Sequence, residues 1–247
     1  MKMFQSLFRF EFRLFTRNFI NMFFVLLFPP FMLLLFGSIY GNAPSEMFGG
    51  YGTIDVSIPA YICMIVAVTG LMSLPITLCT YREEKVLKRL RATPLNSKSI
   101  LGAHFAVNIF MTILGVALLM LIGLLVYKIK ILGEWWAILL TILLVVVSVF
   151  SIGILIASIF KSAKTAIAVA NIVYFPMIFL SGATVPIEIM PDAVQKAAQV
   201  LPLTHAVAAL KGVWLGNPIT DYLISLFVLL GTAILCTAVA FKMFRWE

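Results

Sequence analysis

The sequence predicts an all-α polytopic membrane protein with six transmembrane helices, and three observations carry that prediction. Of its 247 residues 62% are hydrophobic and only 11% charged, with a mean hydropathy of +1.09. One soluble core cannot enclose that much apolar surface, so the bilayer is the solvent. Apolar runs of about 18 residues or more, long enough to cross the hydrocarbon, recur near 21–40, 58–80, 100–127, 136–160 and 221–243, with a shorter one near 165–181. The basic residues, finally, collect on alternate connections.

That alternation sets the expected orientation. The N-terminus (Lys2, Arg9, Arg13, Arg17), the 81–99 loop (Arg82, Lys85, Lys88, Arg89, Arg91, Lys98), the 161–164 turn (Lys161, Lys164) and the C-terminus (Lys242, Arg245) hold fourteen of the 18 Lys and Arg. The opposite connections hold Lys128, Lys130, Lys196 and Lys211, the first two a local dissent. The positive-inside rule places both termini and the charged loop in the cytoplasm of a cell-membrane protein. The net charge of +8 and pI near 9.5 then report topology and anionic-lipid contact, with no nucleic acid implied. Residues 1–20 lack the continuous apolar stretch of a cleavable signal, so the first span is expected to act as its own insertion signal.

Taken in order, residues 2–19 read as a helix lying in the cytoplasmic interface. Phe4, Leu7, Phe8, Phe12, Phe15 and Phe19 share one face, and Lys2, Arg9, Arg13 and Arg17 the other. Glu11 falls inside the apolar sector, so it must either snorkel beside an Arg or meet a partner charge. Pro29 and Pro30 at the centre of the first span should kink or widen it. Residues 41–57 form a Gly-rich outer loop. The second span, bounded by Pro59 and containing Ser73, Pro75 and Thr77, runs straight into the charged loop. The third (with His104, Asn108 and Thr112) and the fourth, opening on Trp135 and Trp136, read as plain apolar scaffold. The 160–164 connection admits only a tight turn. Asn171, Tyr174 and Pro176 give the fifth span a polar, helix-breaking combination.

Two segments fit neither span nor aqueous loop. Tyr81–Leu95 carries Arg82, Glu83, Glu84, Lys85, Lys88, Arg89 and Arg91 around a narrow apolar stripe of Val86, Leu87 and Leu90. That pattern predicts a short helix ended by Pro94, which disfavours the α region at Thr93. Residues 180–215 are too apolar for a loop and too interrupted for a span: Pro186, Pro191 and Pro202 divide them into two short helices, near 190–200 and 203–214, that form an outer-leaflet re-entrant hairpin between the fifth and sixth helices. Glu188 and Asp192 sit at a helix start, where acidic residues favour the helix dipole.

Several classes lose weight on what is missing. There is no Gly-x-x-x-x-Gly-Lys-Ser/Thr motif, so no P-loop in this chain. No Asp, Glu, Lys or Arg occupies the middle of a span, which disfavours ion-coupled carriers and intramembrane enzymes. Cys63, Cys79 and Cys236 fall within spans without metal-ligand or disulfide spacing, and His104 and His205 read as capping or packing residues. What remains is a pathway former driven from outside the bilayer.

In this order the elements resemble the membrane subunit of an ABC-2 type ATP-binding cassette exporter. The resemblance covers nearly the whole chain as one domain, 1–247: interfacial helix 1–20, helices one to five over 21–181 with the insert between two and three, hairpin 182–216, and sixth helix with C-terminus 217–247. It implies a non-catalytic permease that pairs with a second copy or a related permease and sits on a separate cytosolic ATPase, which binds ATP and Mg. It makes 82–91 the coupling helix, with Arg82, Glu83, Glu84, Lys85, Val86, Leu87, Lys88, Arg89, Leu90 and Arg91 facing that ATPase. It also points to Ser73, Thr77, Asn171, Tyr174 and Phe175 along a path between the second and fifth spans. The 181–186 sequence is nearer the drug and lipid branch than the polysaccharide branch, an uncharged path suits an amphiphilic cargo, and the resemblance implies a bacterial source for the chain. A secondary carrier and a membrane docking subunit are the alternative readings.

Overall fold

A computed structural model describes residues 2–45, 50–86, 97–184, 187 and 190–243. Within them the chain is nearly all helix, and six helices are long and apolar enough to cross a membrane: Phe19–Tyr40, Thr53–Glu83, Ser99–Tyr127, Trp135–Ile159, Ala163–Leu180 and Ile219–Met243. The only strands among the described residues are a two-residue antiparallel ladder, Pro44–Ser45 against Tyr51–Gly52, in the connection between the first two spans.

The second span is the axis of the bundle. Of its apolar stretch 83% is buried, against 22–44% for the other five. Its helix starts five residues before the 58–80 run, at Thr53. Asn42 explains the early start: its Oδ1 accepts from the backbone N–H groups of Ile54 and Asp55 at 3.1 and 3.2 Å. Two donors orphaned at a helix start are thereby satisfied. Asp55 in turn accepts from Asn42 Nδ2 and from the Lys130 N–H at 3.0 Å, tying this end to the connection after the third span.

The first and second spans each widen just before a proline ring, whereas the fifth, expected to break at Pro176, runs through it as one α-helix, Ala163–Leu180. In the first span Phe23–Leu27 is a π-helical turn and Phe28 donates to the Phe23 carbonyl; in the second, Val68–Ser73 is a π turn and Leu74 donates to Thr69. Pro29, Pro30 and Pro75 lack an N–H and would clash with the carbonyl four residues back, and the extra residue in the turn removes both problems. The second bulge sits against the fourth span, where a side chain at Gly153 would overlap the Gly70 carbonyl. Glycine there lets the two backbones meet.

The expected pair of short helices is present as Asp192–Ala198 and Pro202–Trp214, while Val185, Pro186, Glu188 and Ile189 lie outside the described residues. Pro202–Trp214 is buried along its length, and the Trp214 carbonyl accepts from the N–H groups of Leu132 and Gly133 at 3.2 and 3.0 Å. His205 lies on this helix with its ring between Ser225 Oγ and the Gln199 carbonyl.

Candidate functional site: the foot of the second span

Three consecutive residues, Tyr81, Arg82 and Glu83, end the second span and reach four other elements. The span terminates there because Lys85 adopts a left-handed conformation (φ 57°). Its N–H returns to the Arg82 carbonyl at 3.1 Å, and that of Glu84 to Thr80 at 2.9 Å. A left-handed residue just past the last turn is a usual way to end a helix. The expected single helix over 82–91 is corrected accordingly: Arg82 and Glu83 belong to the span, Glu84 and Lys85 to a turn, and Leu87, Lys88, Arg89, Leu90 and Arg91 lie outside the described residues. Val86 packs with Leu7 and Leu14 around Tyr81 and Ile100, turning part of the apolar stripe onto the chain itself.

Tyr81 faces the N-terminal helix, Lys2–Arg17. That helix docks on the third span through Phe8 and Phe12, whose rings meet Phe110 edge-on with centroids 5.8 and 6.0 Å away. Arg9, Arg13 and Arg17 are exposed, as the helical spacing predicts, and Phe15 is buried, but Phe4 and Phe19 are exposed as well. Glu11 is buried at 3% exposure and, in place of an Arg or another charge, meets a hydroxyl and an imidazole. Its carboxyl oxygens accept from the Tyr81 hydroxyl at 2.9 and 2.8 Å, and His104 Nδ1 stands 3.0 Å away.

From His104 the polar contacts climb the third span at helical spacing. Asn108 Nδ2 reaches His104 Nε2 at 3.2 Å and the His104 carbonyl at 2.9 Å. A donor on Nε2 makes that nitrogen the acceptor and puts the ring proton on Nδ1, toward Glu11. The Thr112 hydroxyl stands 2.8 Å from the Asn108 carbonyl and 2.9 Å from Oγ1 of Thr69, a residue of the second span's π turn, its single proton serving one of the two at a time. A buried polar file thus joins the N-terminal helix, the foot of the second span and its bulge. A sequence reading of the third span as plain scaffold misses it, although His104, Asn108 and Thr112 recur every fourth residue, which puts them on one face.

Arg82 and Glu83 face the other way, onto the turn between the fourth and fifth spans. Arg82 Nη1 donates to the carbonyls of Ala157 and Phe160 at 2.7 and 3.0 Å. Glu83 Oε2 accepts from the Ala163 N–H at 2.6 Å and from Ser162 Oγ at 3.5 Å. Cys79 Sγ also meets the Phe160 carbonyl, at 3.2 Å. The two charges match the helix ends they touch, the guanidinium a C-terminus and the carboxylate an N-terminus.

The residues expected along the path fall in different surroundings. Ser73 is buried, accepts from Asn21 Nδ2 at 2.8 Å within the same chain, and lines the same groove as Thr77. Thr77 lines a groove between the N-terminal helix, the start of the first span and the second span. This groove consists of cavities of about 380 and 180 Å³ that share Asn18, Asn21, Ile76 and Thr77. Both parts are mainly apolar with polar groups interspersed: Glu11, Thr80 and Glu84 beside Phe10, Leu14 and Val107 near the insert, and Asn18, Asn21, Ser73 and Thr77 beside Ile20, Phe24 and Met72 at the far end. Asn171 is half-buried, Tyr174 buried and Phe175 half-exposed, and none of the three lines that groove. Phe175 instead stacks with Phe179 (centroids 6.3 Å) and meets Tyr174 edge-on.

A family model described as the ABC-2 type transporter matches residues 2–215, from the N-terminal helix to the end of the second short helix. The chain belongs to the ABC-2 type transporter family. This ABC-2 chain is 28% identical over 182 residues to ABC transporter G family member 20 of Dictyostelium discoideum, covering 72% of the chain and 24% of that relative. It is 24% identical over 189 residues to the probable multidrug ABC transporter permease YbhR of Escherichia coli K12, covering 76% and 51%. Nodulation protein J of Rhizobium leguminosarum bv. trifolii is 34% identical over 71 residues, 29% of the chain and 27% of that protein. The chain therefore spans about half or less of the length of each of these relatives. Membership makes it a multi-span membrane transport protein and agrees with its six apolar helices.

Proposed function

We propose that the chain is the permease subunit of an ATP-driven exporter. In this reading it forms the membrane path with a second copy or a related permease, and a separate cytosolic ATPase, holding ATP and Mg, acts on the insert. The observation that carries the reading is where the insert is rooted. It leaves the most buried helix of the bundle, at a foot bonded to the N-terminal helix and to the fourth and fifth spans, with the Tyr81 ring edge-on to His104 of the third. Family membership and the printed names of the relatives support transport, and the distribution of basic residues supports an insert on the cytoplasmic side.

An amphiphilic cargo, drug-like or lipid-like, suits the groove beside Thr77, whose mainly apolar lining carries interspersed polar groups along its length. The test is purification in mild detergent with the products of neighbouring genes. The reading predicts a stoichiometric nucleotide-binding protein and ATP hydrolysis by the complex; a chain that moves cargo with no ATPase would make it a secondary carrier.

A further inference from the structure

We infer that Arg82 and Glu83 form a latch that makes the fourth–fifth turn, and with it the fifth span, follow the insert. The inference rests on the reading of the insert as the place where the ATPase acts, and it assigns to the last two residues of the second span, beside that insert, a role inside their own chain.

The turn cannot hold itself. Only Phe160, Lys161 and Ser162 separate Ile159 from Ala163. Ser162 stands at the N-cap of the fifth span, where a hydroxyl ordinarily accepts from the first N–H groups, yet it makes no such bond and leans on Glu83. The cap of the fifth span is therefore supplied by another helix, through Glu83 Oε2 on the Ala163 N–H. The last carbonyls of the fourth span are likewise gathered by Arg82, whose Nη1 spans Ala157 and Phe160. Because the two side chains are adjacent in sequence, a single short piece of backbone holds both ends of the turn.

Position makes the latch more than a cap. Above it, the second span has its π turn at Val68–Ser73 and then Pro75, and the bulge is held against Gly153 of the fourth span. Bulges and prolines are where helices bend. The ten residues below, Leu74–Glu83, then act as a lever pivoting at Gly70 and Gly153, with the insert and the latch together at its free end. A displacement of the foot carries the start of the fifth span with it, where packing of apolar side chains alone would let it slide.

The test compares the wild type with Arg82→Gln/Glu83→Gln and with Glu83→Gln alone, in lipid nanodiscs. Hydrogen exchange reads the latch without any ATPase. Amides 157–166 should exchange about tenfold or more faster in the double variant, since bonds to charged groups are lost, with 104–112 unchanged. Glu83→Gln, which leaves the guanidinium on its carbonyls, should loosen 162–166 only. Equal protection of 157–166 in all three proteins would overturn the latch. With the ATPase bound, a nitroxide at Lys161→Cys should change its distance to the second copy on ATP addition in the wild type and lose that change in the double variant, ATPase binding being retained. An undiminished change in the double variant would overturn the transmission. A wild-type chain that binds no ATPase would refute the exporter reading, while the exchange comparison would still decide the latch.

Discussion

Glu11 shows how a single charge is accommodated by this bundle. It sits in the apolar sector of an amphipathic helix, and its oxygens accept from Tyr81 and face His104 Nδ1. Glu11→Leu leaves a buried hydroxyl and a buried ring N–H without an acceptor, a cost of about 1–3 kcal/mol for each unmade bond. Thermal unfolding in detergent should therefore fall by several degrees, and Glu11→Gln, which keeps an acceptor oxygen, should lose less. Equal melting of Glu11→Leu and wild type would mean that the Glu11 contacts contribute nothing to stability. That Glu11 needed a partner was legible from its place on the helical wheel. Which partner was not, because Tyr81 and His104 lie 70 and 93 residues away in sequence and meet only through packing.

Among the elements, the second span carries the argument. Its glycine contact with the fourth span is tight enough that Gly153→Leu should force the backbones apart and cost well over the ~1–3 kcal/mol of ordinary overpacking. Size-exclusion profiles should show loss of monodisperse protein, and a normal profile would contradict the backbone approach at Gly70. The insert gives a second element-scale prediction: Leu87→Glu with Leu90→Glu abolishes ATPase association while membrane insertion persists, and unchanged co-purification would remove the stripe from a coupling role. Prolines and apolar runs made the spans and their widened turns readable, since a missing N–H has local consequences. The foot of the second span was harder. Arg82 and Glu83 look like the start of a charged helix, and only the left-handed Lys85 and the nearness of the 160–162 turn place them in the span instead. The central place of the second span was equally hidden, because all six spans are apolar and burial depends on which helix the others surround.

At the scale of the whole molecule, six spans and the asymmetry of Lys and Arg predict one orientation. Cysteines introduced at Lys161 and Lys196 should be labelled by a membrane-impermeant maleimide from opposite sides, Lys161→Cys only after the membrane is opened. Labelling of both in intact cells would contradict the topology. The family was readable from the order of the elements, and residues 2–215 match it as a unit. The cargo was not readable, because the groove is assembled from separate elements and mixes apolar, polar and acidic side chains in no motif that marks one ligand. The central claim is that force applied to the insert drives transport through the helices bonded to its root. The most direct measurement reconstitutes the chain with its co-purified ATPase in proteoliposomes and compares ATP hydrolysis with ATP-dependent cargo movement in wild type and Arg82→Gln/Glu83→Gln. Hydrolysis that continues while movement is lost is the predicted result; movement at the wild-type rate in the double variant would contradict it.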